Sequence, residues 1–184
     1  MKLYFLHSSV NAKGDRVVVS DKQHRIAGYF IWNTNDGKFL NFTTIQGKAQ
    51  EYLIASEITK SDYLDCVISV PIFSKLAREV FEEEIPEEIR FHPMSVIADV
   101  SEFDFYMGKC HKYLDILNKK ESQYRSMTDG SPMLSLPVFK KNFDDDFYIA
   151  RVRDEPQILV VSQKFVDLCE KSRLNIGFLE AQQC

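Results

Sequence analysis

The chain has 184 residues, 45% of them hydrophobic, with 23 lysines and arginines against 27 aspartates and glutamates and a formal net charge of −4. That length allows one domain to bury roughly 70% of its unfolded surface without metal or disulfide, and 14 phenylalanines with 8 tyrosines argue against a disordered chain. The acidic balance supplies no field for gathering phosphates, so nucleic acid is not expected as a partner.

Met1 to Leu6 reads as a first strand, followed by a polar loop, HSSVNAKGDR, with turn chemistry at Gly14 and Asp15. VVVS and IAGYFIW are rich in β-branched and aromatic residues and predict strands. The Asp36-Gly37 pair predicts a tight turn into a further strand, KFLNFTTI, and EYLIAS a short one after it. A strand from Leu64 to Ser69 is expected before Pro71, which suits the first turn of a helix. Phe73, Leu76, Ala77, Val80 and Phe81 then follow helical spacing to a stop at Pro86.

IRFHPMSVIADV returns to extended structure, and FDFYMGKCHKYLDILN fits a long strand, a pair of strands or a helix. NKKESQYRSMTDGSP is polar and turn-rich, a loop or hairpin tip, and DDDFYIARV predicts a strand. In QILVVSQKFVDLCEKSRLNIGF a strand ends at Ser162, an expected N-cap, before Phe165, Leu168 and Cys169 at helical spacing, with Asp167 and Lys171 forming an i, i+4 pair. The blocks CVIS-helix-IRFHP and LVVS-helix-IGFLE resemble each other, as an internal repeat or as recurrent supersecondary geometry. Strands with two or three short helices predict an α+β fold of mostly antiparallel strands, one domain over 1–184 with an optional small N-terminal lobe over 1–61.

Cys66, Cys110, Cys169 and Cys184 are scattered without a CxxC pair and read as reduced thiols. His7 interrupts the short apolar run at the start, so no signal peptide is expected. No stretch approaches the ~20 apolar residues of a membrane span, which makes the cytoplasm the expected compartment.

Catalytic candidates do not assemble. Cys110 and His111 are neighbours, but in a strand they point to opposite faces, and Ser162 lacks the glycines of a nucleophile elbow. His7, His24, His92 and His111 have no metal-ligand spacing. The seven glycines are isolated, so no phosphate cradle is expected, and neither cofactor nor metal. Two acidic runs, Glu82 to Glu88 and Asp144 to Asp146, read as solvated surface or as a patch speeding association with a basic partner. Trp32 fits a core residue or a binding hot spot.

The C-terminal half, with YLDILNKKESQY, the strand DDDFYIARV and ILVVSQKFVDLCEKSRLNIGF, resembles immunity proteins of bacterial polymorphic-toxin systems, the groups numbered eleven and forty-three. There a strand ending in serine starts a short helix, a G-x-F-like strand comes next, and a tyrosine–aspartate strand runs into a turn carrying serine and tyrosine. Tyr113, Asp115, Ser122 and Tyr124 match those positions, while Asn118 stands where the turn usually has an acidic residue. VIS-helix-IRFHPMSVI resembles the earlier helix and strand of the group; the likeness spans roughly Cys66 to Phe178. It implies an inhibitor, not an enzyme, that occludes a cognate toxin or effector, including those delivered by type VI secretion. Residues placed on its interface are Trp32, Glu82, Glu83, Glu84, Tyr113, Asp115, Asp144, Asp145 and Asp146. An effector-associated adaptor or chaperone is the alternative, and a small hydrolase a further one.

Overall fold

The structure, a computed structural model, describes residues 2–10, 14–143 and 146–184, and there the chain is α+β, with thirteen strands in mostly antiparallel sheets and four short α-helices. β1 (Leu3–His7) alternates its side chains between two cores, and β2 (Val17–Val19) comes after the first loop.

The segment IAGYFIW is helical, not extended. α1 (Arg25–Ala27) runs on into a π-helical turn, Gly28–Trp32, ended by Asn33 at φ 52°. The cause is tertiary. Gly28, Tyr29, Phe30 and Ile31 are all buried, which a coil packed across a sheet can achieve and a half-exposed strand cannot. Asp21 accepts from the backbone N–H groups of Ile26 and Ala27 (3.0 and 2.8 Å), satisfying donors a helix start leaves orphaned. Gly37 does turn the chain, at φ 74°, and a Cβ there would lie 2.4 Å from the Tyr29 ring. The chain then makes a 3-10 turn, Lys38–Asn41, and a strand begins only at β3 (Ile45–Ala49).

EYLIAS is likewise a turn leading into α2 (Ala55–Ile58), whose first N–H donates to the Asp99 carboxylate at 3.0 Å. The strand expected over Leu64 to Ser69 is only β4 (Tyr63–Leu64); Cys66 makes a lone bridge to Val17, and Ser69 is left-handed at φ 57°. Pro71 precedes a strand, β5 (Ile72–Phe73), not a helix. The helix α3 (Lys75–Glu84) starts after Ser74, whose Oγ accepts from Ala77 N at 3.1 Å. Phe73 is therefore a buried strand residue and Leu76 is exposed, so the helix buries Ala77 and Phe81.

Beyond Pro86, β6 (Ile89–Ala98) and β7 (Ser101–Cys110) form a ten-residue antiparallel hairpin in unbroken register. β8 (Tyr113–Leu114) then crosses to the other sheet, and β9 (Gln123–Ser126) with β10 (Pro132–Leu136) make a separate two-stranded hairpin out of the polar segment. β11 (Ile149–Val152), β12 (Leu159–Ser162), α4 (Gln163–Lys171) and β13 (Gly177–Glu180) complete the chain. Ser162 occupies the N-cap position of α4, but its buried Oγ donates to the Phe147 carbonyl (2.6 Å) instead of capping. Asp167 accepts from Gln163 Nε2 at 2.8 Å in place of the expected pairing with Lys171.

The five-stranded sheet has the order β13-β1-β12-β11-β8 and the six-stranded sheet β2-β3-β6-β7-β5-β4, with only β8–β11 and β3–β6 parallel. Residues 1–61 thus give a strand to the first sheet and two to the second. A central core unites the sheets with α3 and α4, through Phe73, Phe81, Ile149, Val161 and Phe165. The π-helical turn closes a second core over the six-stranded sheet, and Phe139 and Phe147 close a third on the opposite face of the five-stranded sheet.

Candidate functional site

Two surface features stand out once the sheets are assembled. The first surrounds the π-helical turn. Tyr29, Phe30 and Ile31 are buried, while Trp32 is 49% exposed. Tyr113 fixes this turn to β8 by donating its hydroxyl to the Ile31 carbonyl at 2.8 Å, and burial raises the phenol's pKa. Trp32 and Tyr113, distant in sequence, are thus brought to the same place.

Beneath the turn, the face of β6 and β7 that carries Met94, Val96, Phe105 and Met107 ends in charge. Alternation puts Arg90 and His92 on that face of β6 and Lys109 on that face of β7, and Arg90 lies directly opposite Lys109. Lys109 Nζ sits 3.7 Å from the centroid of the Tyr29 ring. His92 hydrogen-bonds the Tyr29 hydroxyl through Nε2 (3.0 Å), and its ring meets those of Tyr29 and Phe30 edge-on. Burial, then Arg90, Lys109 and His111, push the His92 pKa down to about 4, so it is neutral at pH 7. Burial and Arg90 lower Lys109; burial, Lys109 and Arg90 lower His111, with Glu87 opposing. A cleft of about 330 Å³ beside His92 is lined by Asn41, Phe42, Thr43, Thr44 and Pro93, and Phe42 is 86% exposed.

The second feature is the β9–β10 hairpin. Its strands pair only with each other, and Tyr124, Met127 and Leu136 are exposed on it. Its base is firm. Ser122 Oγ donates to the Asn118 carbonyl (2.8 Å) and accepts from Val138 N (3.0 Å), while Asn118 Oδ1 accepts from Lys120 N (3.2 Å), a task a carboxylate would also perform. Ser122 and Tyr124 therefore have different work, one at the base and one on the arm. Asp115 pairs with Lys140 at 3.0 Å, which holds its carboxyl below the usual range.

The acidic positions lie elsewhere. Glu82, Glu83 and Glu84 are exposed in the last turn of α3, and Glu82 faces Arg78 at 3.3 Å. Asp146 pairs with Lys164 at 2.6 Å, and Asp144 and Asp145 lie outside the described residues. Glu88 joins the two acidic regions, its Oε2 accepting from the N–H groups of Tyr148 and Ile149 (2.7 and 2.9 Å). Sequence reasoning missed Arg90 and Lys109 as candidates. They are nineteen positions apart, and only strand register brings them together.

Burial pushes the thiols of Cys66 and Cys110 up to about 11 and that of Cys169 higher still, so at neutral pH they are protonated and poor nucleophiles. Cys110 is in the central core and His111 is exposed. Among the described residues there is no group of three or more His, Cys, Asp or Glu side chains that could hold a metal, and no helix long and apolar enough to cross a membrane. Compared with known proteins, the chain matches no family model and has no significant relative among curated proteins.

Proposed function

We propose that this chain is an immunity-type binding protein that occludes a cognate bacterial toxin, docking through Trp32 and the β9–β10 hairpin and acting from the cytoplasm of the cell it protects. The observation that carries the reading is the pairing of large exposed side chains with stiff supports. Trp32 stands at the end of a buried turn held by Tyr113, and Tyr124, Met127 and Leu136 stand on an arm held by Ser122. Pre-ordered side chains lose little entropy on docking, and tryptophan and tyrosine are enriched among hot spots. An occluding interface needs about 800 Å² per partner, which a tryptophan and a projecting hairpin can seed. The likeness around Tyr113, Asp115, Ser122 and Tyr124 directs the reading to toxin immunity.

The acidic side chains of Glu82 to Glu84 and Asp144 to Asp146 would steer a basic partner, and their reversal would slow association most at low salt. The test is co-expression and calorimetry with the toxin encoded beside this chain's gene. Protection and a stable complex are expected, with Trp32→Ala and Tyr124→Ala each weakening binding by about tenfold or more, or ~1.4 kcal/mol, at unchanged melting temperature. A toxin that neither binds nor loses toxicity refutes the reading, and binding without protection transfers it to an adaptor role.

A further inference from the structure

The cationic cluster at the end of the six-stranded sheet makes no ion pair among the described residues. Arg90 and Lys109 face each other across β6 and β7, a like-charge pair that disfavours the hairpin carrying it. His92 lies two residues along β6 from Arg90, and His111 two residues beyond Lys109. Among the described residues Arg90, Lys109 and His111 form no ion pair, and of the charges acting on His92, Lys109 and His111 the carboxylate is Glu87, on His111. Lys109 lies over the Tyr29 ring, a cation–π contact. An acidic chain of net charge −4 therefore concentrates positive charge beneath the buried π-helical turn and near the exposed Phe42.

We infer that the Arg90–His92–Lys109–His111 cluster receives a carboxylate-rich extended segment of a protein partner. The dimensions favour such a segment. From the level of His92 to that of His111 is four residue steps, about 13 Å along a strand. Side chains on one face of an extended peptide recur every ~7 Å, so the cluster spans two or three carboxylates at alternate positions. Arg90 offers a planar fork for one of them. Phe42, in the cleft beside His92, gives the segment an apolar contact at that end.

A nucleic-acid backbone fits less well. Its charge repeats at every nucleotide and cannot stop short of Glu87 and Glu88, which immediately precede Ile89, whereas a peptide's carboxylates can be confined to the level of His92, Arg90 and Lys109. The inference rests on the proposed role in binding a protein, but not on that protein being a toxin.

The experiment uses the full chain and a five-residue peptide alternating aspartate and serine, with NMR of the histidine rings, the lysine side chains and the tryptophan indole as the readout. Expected are saturable shifts at His92, His111 and Lys109 that weaken with salt, and an upward move of the His92 titration midpoint when peptide is bound. The same peptide with asparagine for aspartate should leave these signals unmoved. Arg90→Gln, at an exposed position that leaves the Lys109–Tyr29 contact intact, should weaken binding severalfold, and the Arg90→Gln/Lys109→Gln pair about tenfold or more. Absence of shifts overturns the inference, as does binding that survives the double substitution. Tighter binding of a charge-matched oligothymidylate, or an equal response to inorganic phosphate, also overturns it. Failure here would leave complex formation through Trp32 and the hairpin standing, because that is measured separately with the toxin.

Discussion

Arg151 is the largest fully buried side chain among the described residues, and no carboxylate is among the groups that act on it. Strand alternation on β11 turns it to the same side as Ile149, toward the interior shared by the two sheets. Nη1 donates to the Pro156 carbonyl at 2.7 Å, Nη2 donates to the Ser69 carbonyl at 3.2 Å, and Nε has no partner. The ionisable groups that act on it are Cys110, Tyr113 and Tyr63, all uncharged at pH 7, and burial draws the guanidinium's pKa down. Its work is to clamp the left-handed Ser69 loop, which precedes β5, onto the five-stranded sheet.

Arg151→Met removes the ion and with it a dehydration cost of several kcal/mol. It strands two carbonyls, at about 1–3 kcal/mol each. These terms nearly cancel, so the variant should lie within about 2 kcal/mol of the parent. Arg151→Lys should be worse. An ammonium is more strongly hydrated than a guanidinium and lacks the fork that reaches two carbonyls at once. A buried, half-partnered charge should cost about 3–5 kcal/mol at pH 7. The lysine would also titrate. Its folded pKa falls below the unfolded value of about 10.4, so the unfolded chain binds more protons in that window and stability rises with pH across it. Urea melts at pH 7 and pH 9.5 separate the cases. A lysine variant as stable as the methionine variant, or one whose deficit does not shrink with pH, would refute the assignment of Arg151 as a buried, uncompensated ion.

His92 predicts an acid-sensitive fold. Between about pH 6.5 and pH 4 the unfolded chain takes up a proton that the folded chain refuses; the stability present above pH 6.5 should therefore fall by about 1–2 kcal/mol by pH 4, after discounting for solvent screening of a half-buried group. His92→Gln should flatten this part of the pH profile in urea melts, and an unaltered slope would exclude His92 as its source. Phe165 is fully buried with its ring centroid 4.8 Å from that of Phe81, so Phe165→Ala should cost about 3–5 kcal/mol. An unchanged calorimetric transition would remove it from the core.

The range of the interactions decides which elements the sequence discloses and which it hides. β6, β11, β12 and α4 are legible because short apolar or β-branched runs and helical spacing lie within them, while the segment holding β7 reads equally as strand or helix. The segments whose structure departs from expectation are those whose decisive partners are distant or lie on the facing side. Asp99 caps α2 across 44 positions, and IAGYFIW becomes helical because a sheet face needs Tyr29, Phe30 and Ile31 together. Trp32 is visible as a candidate by residue type, and Tyr113 through the resemblance alone. The charge cluster is not, since Arg90 and Lys109 are ordinary strand residues until register sets them opposite each other.

The likeness between the two serine-ended blocks has a structural basis, shifted by five residues from the one the sequence suggests. The first block is β5, Ser74, α3 and β6, not CVIS; the second is β12, Ser162, α4 and β13. In each, a third strand lies between the two and runs antiparallel to both, β7 in the first and β1 in the second. Each block is therefore a split β-α-β unit, with its own two strands parallel to each other. Ser74 caps its helix, whereas Ser162 satisfies the Phe147 carbonyl, so the serine itself does not define the unit. The helices bring Phe81 and Phe165 together at the junction of the sheets. That places the central core between the units and leaves the π-helical turn, the end of the β6–β7 hairpin and the β9–β10 arm outside it. Side chains there can change to suit a partner without disturbing the core that holds them in position.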